Sequence, residues 1–217
     1  MAVALIVAAG RGERLGSGGP KALATVAGKP MLEWSLDALR SVDAVDEVVV
    51  ALPPGTELGS APGGVVVVAG GETRSQSVRA ALALAGPGDT ILVHDAARPL
   101  ATPELFARTI EALERTGADA VIAARPIADT VKEARDSIVV RTLDRSVLWA
   151  IETPQVFRRQ ALERALGREE LLASATDDAW LLEQAGGVVR VLESGEHNFK
   201  VTTAADLHLA ELLLAAR

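Results

Sequence analysis

Short runs rich in Val and Ile alternate with stretches whose apolar residues return every three or four positions, and that rhythm limits the chain to few folds. The runs are Val3 to Ala8, Glu47 to Leu52, Val65 to Ala69, Thr90 to His94 and Ala120 to Ala124. Continuous apolar runs of that length suit strands covered on both faces. Between them, Met31 to Ser41, Ser75 to Ala85 and Pro103 to Thr116 have helical spacing and can serve as crossovers. Pro103 behind Thr102 reads as a proline at the first helical position after a hydroxyl N-cap. The expected fold is α/β: a doubly wound, mostly parallel, Rossmann-like sheet forming a single domain over residues 1–217.

The rhythm breaks from Pro126 to Trp149. Two alternating runs, Asp129 to Glu133 and Ser137 to Thr142, flank Ala134-Arg135-Asp136, which predicts an extended β-hairpin. A hairpin with few large apolar residues is not stable alone. Either it reaches a second subunit or it lies on the edge of the same sheet, and residue pattern alone supports both. Arg159 to Leu166 and Thr176 to Ala185 read as helices, Gly187 to Leu192 as a strand, and Ala204 to Ala216 as an amphipathic terminal helix. Pro53 to Gly64 reads as a surface loop.

Composition removes several function classes. A net charge of -7 argues against a broad basic footprint for nucleic acid or anionic membrane. Aromatic residues make up 3% and Tyr is absent, so base-stacking platforms are not expected and the core must rest on aliphatic side chains. With no Cys, thiolate metal sites and a cysteine nucleophile are excluded. The absence of Cys fits a cytoplasmic enzyme. Met1 to Gly10, which lacks a basic leader and runs into a charged glycine loop, reads as a buried strand and not as an export signal. No apolar run approaches the ~18 residues that span a bilayer.

The first strand runs into Ala8-Ala9-Gly10-Arg11-Gly12-Glu13-Arg14-Leu15-Gly16, then Ser17-Gly18-Gly19-Pro20-Lys21. Small residues let backbone N–H groups approach a ligand, and Arg14 and Lys21 add positive charge to an anion-binding concavity. No Gly-Lys-Ser or Gly-Lys-Thr closes it as in a P-loop, and its third glycine falls one residue late for a dinucleotide fingerprint. Taken singly, a glycine loop is as readily a solvated turn. Its place after the first strand of an open α/β sheet, where such sheets bind ligands, favours a phosphate site.

Ala8-Ala9-Gly10-x-Gly12-x-Arg14 with Pro20-Lys21 resembles the opening signature of nucleotidyltransferases that activate sugar phosphates. Further segments narrow the resemblance: Gly70-Gly71-Glu72-Thr73-Arg74-Ser75-Gln76-Ser77-Val78, His94-Asp95-Ala96-Ala97-Arg98-Pro99, Thr153-Pro154-Gln155, Thr176-Asp177-Asp178-Ala179 and Asn198-Phe199-Lys200-Val201-Thr202. Together they resemble the methylerythritol phosphate cytidylyltransferase family over nearly the whole chain. The resemblance implies transfer of CMP from CTP to 2-C-methyl-D-erythritol 4-phosphate, with release of pyrophosphate, in non-mevalonate isoprenoid biosynthesis. It implies that cytosine and ribose lie against Ala8, Ala9, Gly10, Gly71, Glu72, Ser77 and Ala96, that Arg14 and Lys21 meet the triphosphate, and that Asp95 holds Mg²⁺ or another divalent cation such as Mn²⁺. Arg98, Thr153, Thr176 and Lys200 match positions serving the acceptor and the transferring phosphoryl group. Thr130 and Arg145 match residues reaching in from a neighbouring subunit, which favours a homodimer through the arm. Glu72 and Gln76 depart from the pattern, where family members commonly carry Asp. Within enzymes the rival is a ribitol- or glycerol-phosphate cytidylyltransferase; outside them, an idle nucleotide-binding regulator on the same fold.

The implied reaction needs no protein nucleophile, because a phosphate monoester is already ionised near neutral pH. What resists it is the approach of two polyanions, so positioned cations must carry catalysis. At ~4 Å and an effective dielectric near 20, one paired charge contributes about 4 kcal/mol before desolvation. Distant surface charge is screened, so local sign outweighs the net charge. His94 adjoins Asp95, but strand alternation turns the two side chains to opposite faces, giving His94 a structural role. His197 and His208 have no partner pattern, and Asp177-Asp178 at a helix start are as well explained by capping as by metal binding.

Overall fold

A computed structural model describes residues 1–10, 12, 19–56, 58, 64–195 and 197–217. Along the chain it places β1 (Ala2–Val7), β2 (Thr25–Val26), β3 (Lys29–Pro30), α1 (Met31–Arg40), β4 (Val45–Leu52), β5 (Val65–Ala69), α2 (Arg74–Leu84), β6 (Thr90–Asp95) and α3 (Pro103–Thr116). There follow β7 (Ala120–Pro126), β8 (Lys132–Arg135), β9 (Ile138–Thr142), β10 (Trp149–Arg158), α4 (Arg159–Leu166), α5 (Glu169–Leu172), α6 (Asp178–Gln184), β11 (Val189–Glu193) and α7 (Ala204–Ala215).

Seven strands form one sheet in the order β11-β7-β10-β6-β1-β4-β5. All neighbours run parallel except β10, which is antiparallel to both β6 and β7. The expected doubly wound sheet is therefore present, with one reversed strand that residue pattern did not reveal. β10 holds Glu152, Thr153, Pro154 and Gln155 at its middle, and an internal proline removes a ladder donor. The strand survives through an irregularity: pairing with β7 shifts between Ile151 and Gln155.

Strand alternation divides the core. Ala2, Ala4, Ile6, Val50 and Leu92 pack with Leu32 and Leu36 of α1 and with Phe106, Ile110 and Leu113 of α3. Val3, Leu5, Val49 and Val93 face the other way, toward Val78 and Ala81 of α2, Leu162 of α4 and Leu181 of α6. The core is largely aliphatic as expected, although Phe106 and Phe157 are among its largest fully buried side chains. Thr102 caps α3 by accepting the Leu105 N–H at 3.3 Å, with Pro103 opening the helix and Gly117 closing it in the left-handed region.

The hairpin of β8 and β9 is a separate two-stranded sheet. Its turn lies at Asp136 and Ser137, with φ 49 and 65, one residue later than Ala134-Arg135-Asp136 predicts. Positive φ at both central positions matches the twist of a two-residue hairpin, and Asp tolerates that region better than the Ala and Arg before it. The edge-of-sheet alternative is not what the structure adopts. Among the described residues no helix is long and apolar enough to cross a membrane.

Candidate active site

The carboxyl ends of β1, β5 and β6 open into a cleft of about 570 Å³. Its floor is Val7, Ala8, Ala9 and Gly10 after β1, joined to β6 because the Ala96 N–H donates to Val7 O at 3.1 Å. Lys21 comes back to this floor: its N–H donates to Gly10 O at 3.2 Å, and Gly12 lies against its Cβ. A Cβ on Gly12 would stand 2.8 Å from that of Lys21, and φ at Gly12 is +72, so glycine is required twice over.

The second wall is the turn into α2. Gly70 sits where an added Cβ would meet Ala9 Cβ at 2.5 Å and Ser77 Oγ at 2.9 Å, so its missing side chain brings β5 against the β1 loop. Thr73 caps α2 by accepting the Gln76 N–H, while Gln76 Oε1 accepts the Thr73 N–H at 3.0 Å, forming a capping box. The departure at Gln76 thus has a structural use. Ser77 accepts the Gly71 N–H at 3.1 Å and donates to Thr73 O at 3.0 Å, so its hydroxyl braces the Gly71-Glu72 turn.

Charge gathers on the third wall. Asp95, at the end of β6, is buried, and each of its carboxylate oxygens meets a cation: Oδ1 accepts from Arg74 Nε at 2.9 Å and Oδ2 from Lys200 Nζ at 2.6 Å. These two cations outweigh the desolvation that would raise its pKa and hold the carboxyl well below the usual range. Arg74 also pairs with Asp178, which is fully buried on α6. Burial dominates there and pushes the Asp178 carboxyl upward despite Arg74. Asp95 has two cations and Asp178 one, which accounts for the opposite directions.

Lys200 owes its place to the segment after β11. Val201 N–H donates to Ala97 O at 2.8 Å, Arg98 Nη1 donates to Asn198 O at 2.6 Å, and Asn198 Nδ2 donates to Thr153 O at 2.8 Å. These bonds press residues 198–201 onto the β6 exit. Thr153 Oγ1 meanwhile accepts the Asp95 N–H at 3.0 Å and lies 3.0 Å from His94 Nδ1.

His94 turns away from Asp95, as alternation requires, and packs edge-on to Phe106 with centroids 4.9 Å apart. Full burial lowers its pKa to about 3. The folded form therefore stays neutral where the unfolded chain takes up a proton, so its contribution is complete above pH ~6.5 and declines as pH falls toward ~3, at up to about 1.4 kcal/mol per pH unit. Urea melts across that range should show the slope in the native protein and a flatter one in His94→Gln. The same slope in both would remove His94 as its source.

The family model for 2-C-methyl-D-erythritol 4-phosphate cytidylyltransferase matches residues 2–216. The chain belongs to that family. As a member it is a CTP-dependent cytidylyltransferase, an enzyme of the nucleotidyltransferase class serving the non-mevalonate route to isoprenoids. The protein named 2-C-methyl-D-erythritol 4-phosphate cytidylyltransferase in Frankia casuarinae is 48% identical, over 98% of this chain and 80% of that one. Its namesake in Deinococcus radiodurans is 47% identical, over 97% and 88%. The crystal structure of the Thermus thermophilus cytidylyltransferase superposes with a TM-score of 0.84 at 36% identity, covering 98% of each chain.

For a cytidylyltransferase of this family, the expected nucleotide positions Ala8, Ala9, Gly10, Gly71, Glu72, Ser77 and Ala96 all line the cleft, together with Lys21, Asp95 and Lys200. Arg14 lies outside the described residues. Arg98 and Thr153 do not line the cleft: both are buried behind Asp95, where they fix the backbone that presents it. Burial holds the Arg98 guanidinium below its usual pKa, against the pull of Asp95 and Glu152. Thr176 is exposed just before α6, and Thr130 and Arg145 are exposed on the arm, away from this cleft of their own chain. Arg145 Nη1 donates to Ala128 O. Asp177 is the cap expected at α6, accepting the Trp180 N–H at 2.8 Å, but Asp178 is a buried partner of Arg74 and not a cap. Arg74 is the residue that sequence reading left without a role. A signal existed: a cation in the first turn of a helix opposes the macrodipole, so such an Arg calls for a carboxylate partner elsewhere.

Proposed function

We propose that this cleft joins CTP to 2-C-methyl-D-erythritol 4-phosphate, with the nucleoside along the Ala8 to Gly10 floor and the Gly71-Glu72 turn, and the phosphates toward Lys21 and Lys200. The convergence of Lys21, Arg74, Asp95 and Lys200 on one cleft beside glycine-rich backbone carries this reading. An acceptor phosphate oxygen attacks the α-phosphorus in line, its new P–O bond replacing the bond to the β-phosphate, and pyrophosphate leaves. Lys21 and Lys200 offset the charge of the approaching phosphates, and Arg14 joins them in the same proposal. Glu72, exposed at the turn, meets the ribose.

Asp95 supplies one hard carboxylate oxygen for a divalent cation, and among the described residues no three acidic or histidine side chains gather to cage one. That set suits Mg²⁺ or Mn²⁺, which take few protein ligands and complete their shell with phosphate oxygens and water. The bound ion would add positive charge to the transferring phosphates. Pyrophosphate release measured with CTP and the methylerythritol, ribitol or glycerol phosphate in turn tests the acceptor. Preference for either of the latter two would reassign it, and CTP binding without turnover on any acceptor would favour a regulator.

The same proposal makes the protein a cytoplasmic homodimer. Ile138, Val139 and Val140 of β9 and Val147 beyond it are exposed, with Ile138 at 72%, an apolar strip that a second copy would cover. Thr130 and Arg145 would then reach the partner's acceptor phosphate. Arg145→Ala is expected to be inactive alone. Mixed equally with inactive Lys21→Ala under free subunit exchange, it restores one intact site per heterodimer, about a quarter of native activity. No recovery despite proven exchange would rule out a shared site.

A further inference from the structure

The contact between Lys200 and Asp95 competes with the metal role assigned to Asp95. Both carboxylate oxygens are engaged by cations, Oδ1 by Arg74 and Oδ2 by Lys200. The two partners differ in how readily they can leave. The Arg74 side chain is 23% exposed and is shared with Asp178, whose side chain is wholly buried, so withdrawing Arg74 would strand a second carboxylate without a partner. The Lys200 side chain is 41% exposed and ends in a single compact charge on a flexible stem. Lys200 also lines the cleft beside Lys21, within the space that nucleotide phosphates enter under the reading above.

We propose that Lys200 is an exchangeable counterion on Asp95, holding the oxygen that a divalent cation takes once nucleotide phosphates draw the ammonium away. The inference rests on the assignment of phosphates to this cleft. An entering triphosphate gives Lys200 a more highly charged partner, and its departure bares Oδ2. The divalent ion then restores the charge balance at Asp95 and meets the phosphate oxygens nearby. Arg74 stays on Oδ1 throughout and keeps the carboxylate aimed. The cation site is thus completed by nucleotide, and metal binding without it is opposed by a resident positive charge.

Mn²⁺ binding in the absence of nucleotide, followed by electron paramagnetic resonance, tests this directly. Removing the competing ammonium in Lys200→Met should tighten Mn²⁺ binding by about tenfold or more over the native protein, since the ion no longer displaces a unit charge at contact distance. Lys200→Gln should show the same direction while keeping a polar side chain, and serves if the Met variant is poorly folded by circular dichroism. The gain should vanish in Lys200→Met combined with Asp95→Asn. Equal Mn²⁺ affinity in the native protein and both single variants would overturn the proposal, as would a gain that persists without Asp95. Pyrophosphate release by the native protein in the same preparations judges the proposed reaction separately, because the Mn²⁺ comparison requires no turnover.

Discussion

Lys21→Ala lowers kcat by ~100-fold or more while leaving the fold in place, if Lys21 meets charge that grows or shifts during transfer. The local structure makes that loss specific. Lys21 is partly buried, and its backbone is tied to Gly10 O and pressed against Gly12, which fixes the point from which its side chain enters the cleft. A charge held at fixed distance in a partly desolvated cleft acts without reorganising when the reaction proceeds, whereas a solvent cation would have to be recruited each time. Lys21→Arg should recover only part of the rate, because a planar fork cannot occupy the space of a compact ammonium. Pyrophosphate release gives kcat and KM, and urea unfolding shows whether the fold has changed. A raised KM with unchanged kcat would reduce Lys21 to ground-state binding, and near-native values of both would exclude it from the reaction.

The parts of this molecule legible in its sequence are those where local and global signals agree. Val3 to Ala8 and Thr90 to His94 were recognisable as central strands because both faces are covered, so no polar residue interrupts them until the chain reaches the cleft. The cap at Thr102 and Pro103 was legible for the same reason: it is satisfied within one turn of α3. β10 was not, because Glu152, Thr153, Pro154 and Gln155 obey long-range demands. Thr153 accepts an N–H from Asp95, and Gln155 Nε2 donates to Asp177 at 3.0 Å, 22 residues away. A strand carrying such polar contacts at its centre has no hydrophobic periodicity to read.

The site divides along the same line. Gly12 was legible as a close-approach position in the loop after the first strand, whereas Gly70 and Gly71, which are crowded in the same way, were marked only by the resemblance, and a side chain on Gly10 would meet nothing within 4 Å. The resemblance matched Arg98 and Thr153 to acceptor positions, and in the structure both are buried and bonded to the backbone that presents Asp95 and Lys200. Pattern cannot separate a side chain that touches a ligand from one that positions its neighbour, because both are constrained at the same cleft. Arg74 escaped because its significance is a contact with Asp178 across 104 residues of chain, which no local spacing encodes.

That contact underlies the largest stability effect to be expected. Arg74→Leu should cost about 3–5 kcal/mol at neutral pH, the range for breaking a buried ion pair from one side. Both partners lose by it: Asp178 is fully enclosed with Oδ1 already lacking a hydrogen-bond partner among the described residues, and Asp95 keeps its ion pair with Lys200 but loses the one on Oδ1. The pH dependence identifies the cause. Burial already raises the Asp178 carboxyl above its ordinary value, and removing Arg74 raises it further, so folded Asp178 binds a proton more readily than unfolded Asp178. Protons then favour the folded state above the unfolded carboxyl pKa of ~3.9, and the defect of Arg74→Leu should shrink as pH falls from neutral toward 5. Adding Asp178→Leu should recover part of the loss at neutral pH, since an apolar pair strands no charge, and should flatten the pH dependence. Urea midpoints of the native, single and double variants at pH 7.5 and pH 5 measure each step, with constant slopes confirming that stability alone has changed. A loss that is the same at both pH values and is not reduced by Asp178→Leu would mean that Arg74 stabilises through packing of its stem and not through the carboxylates.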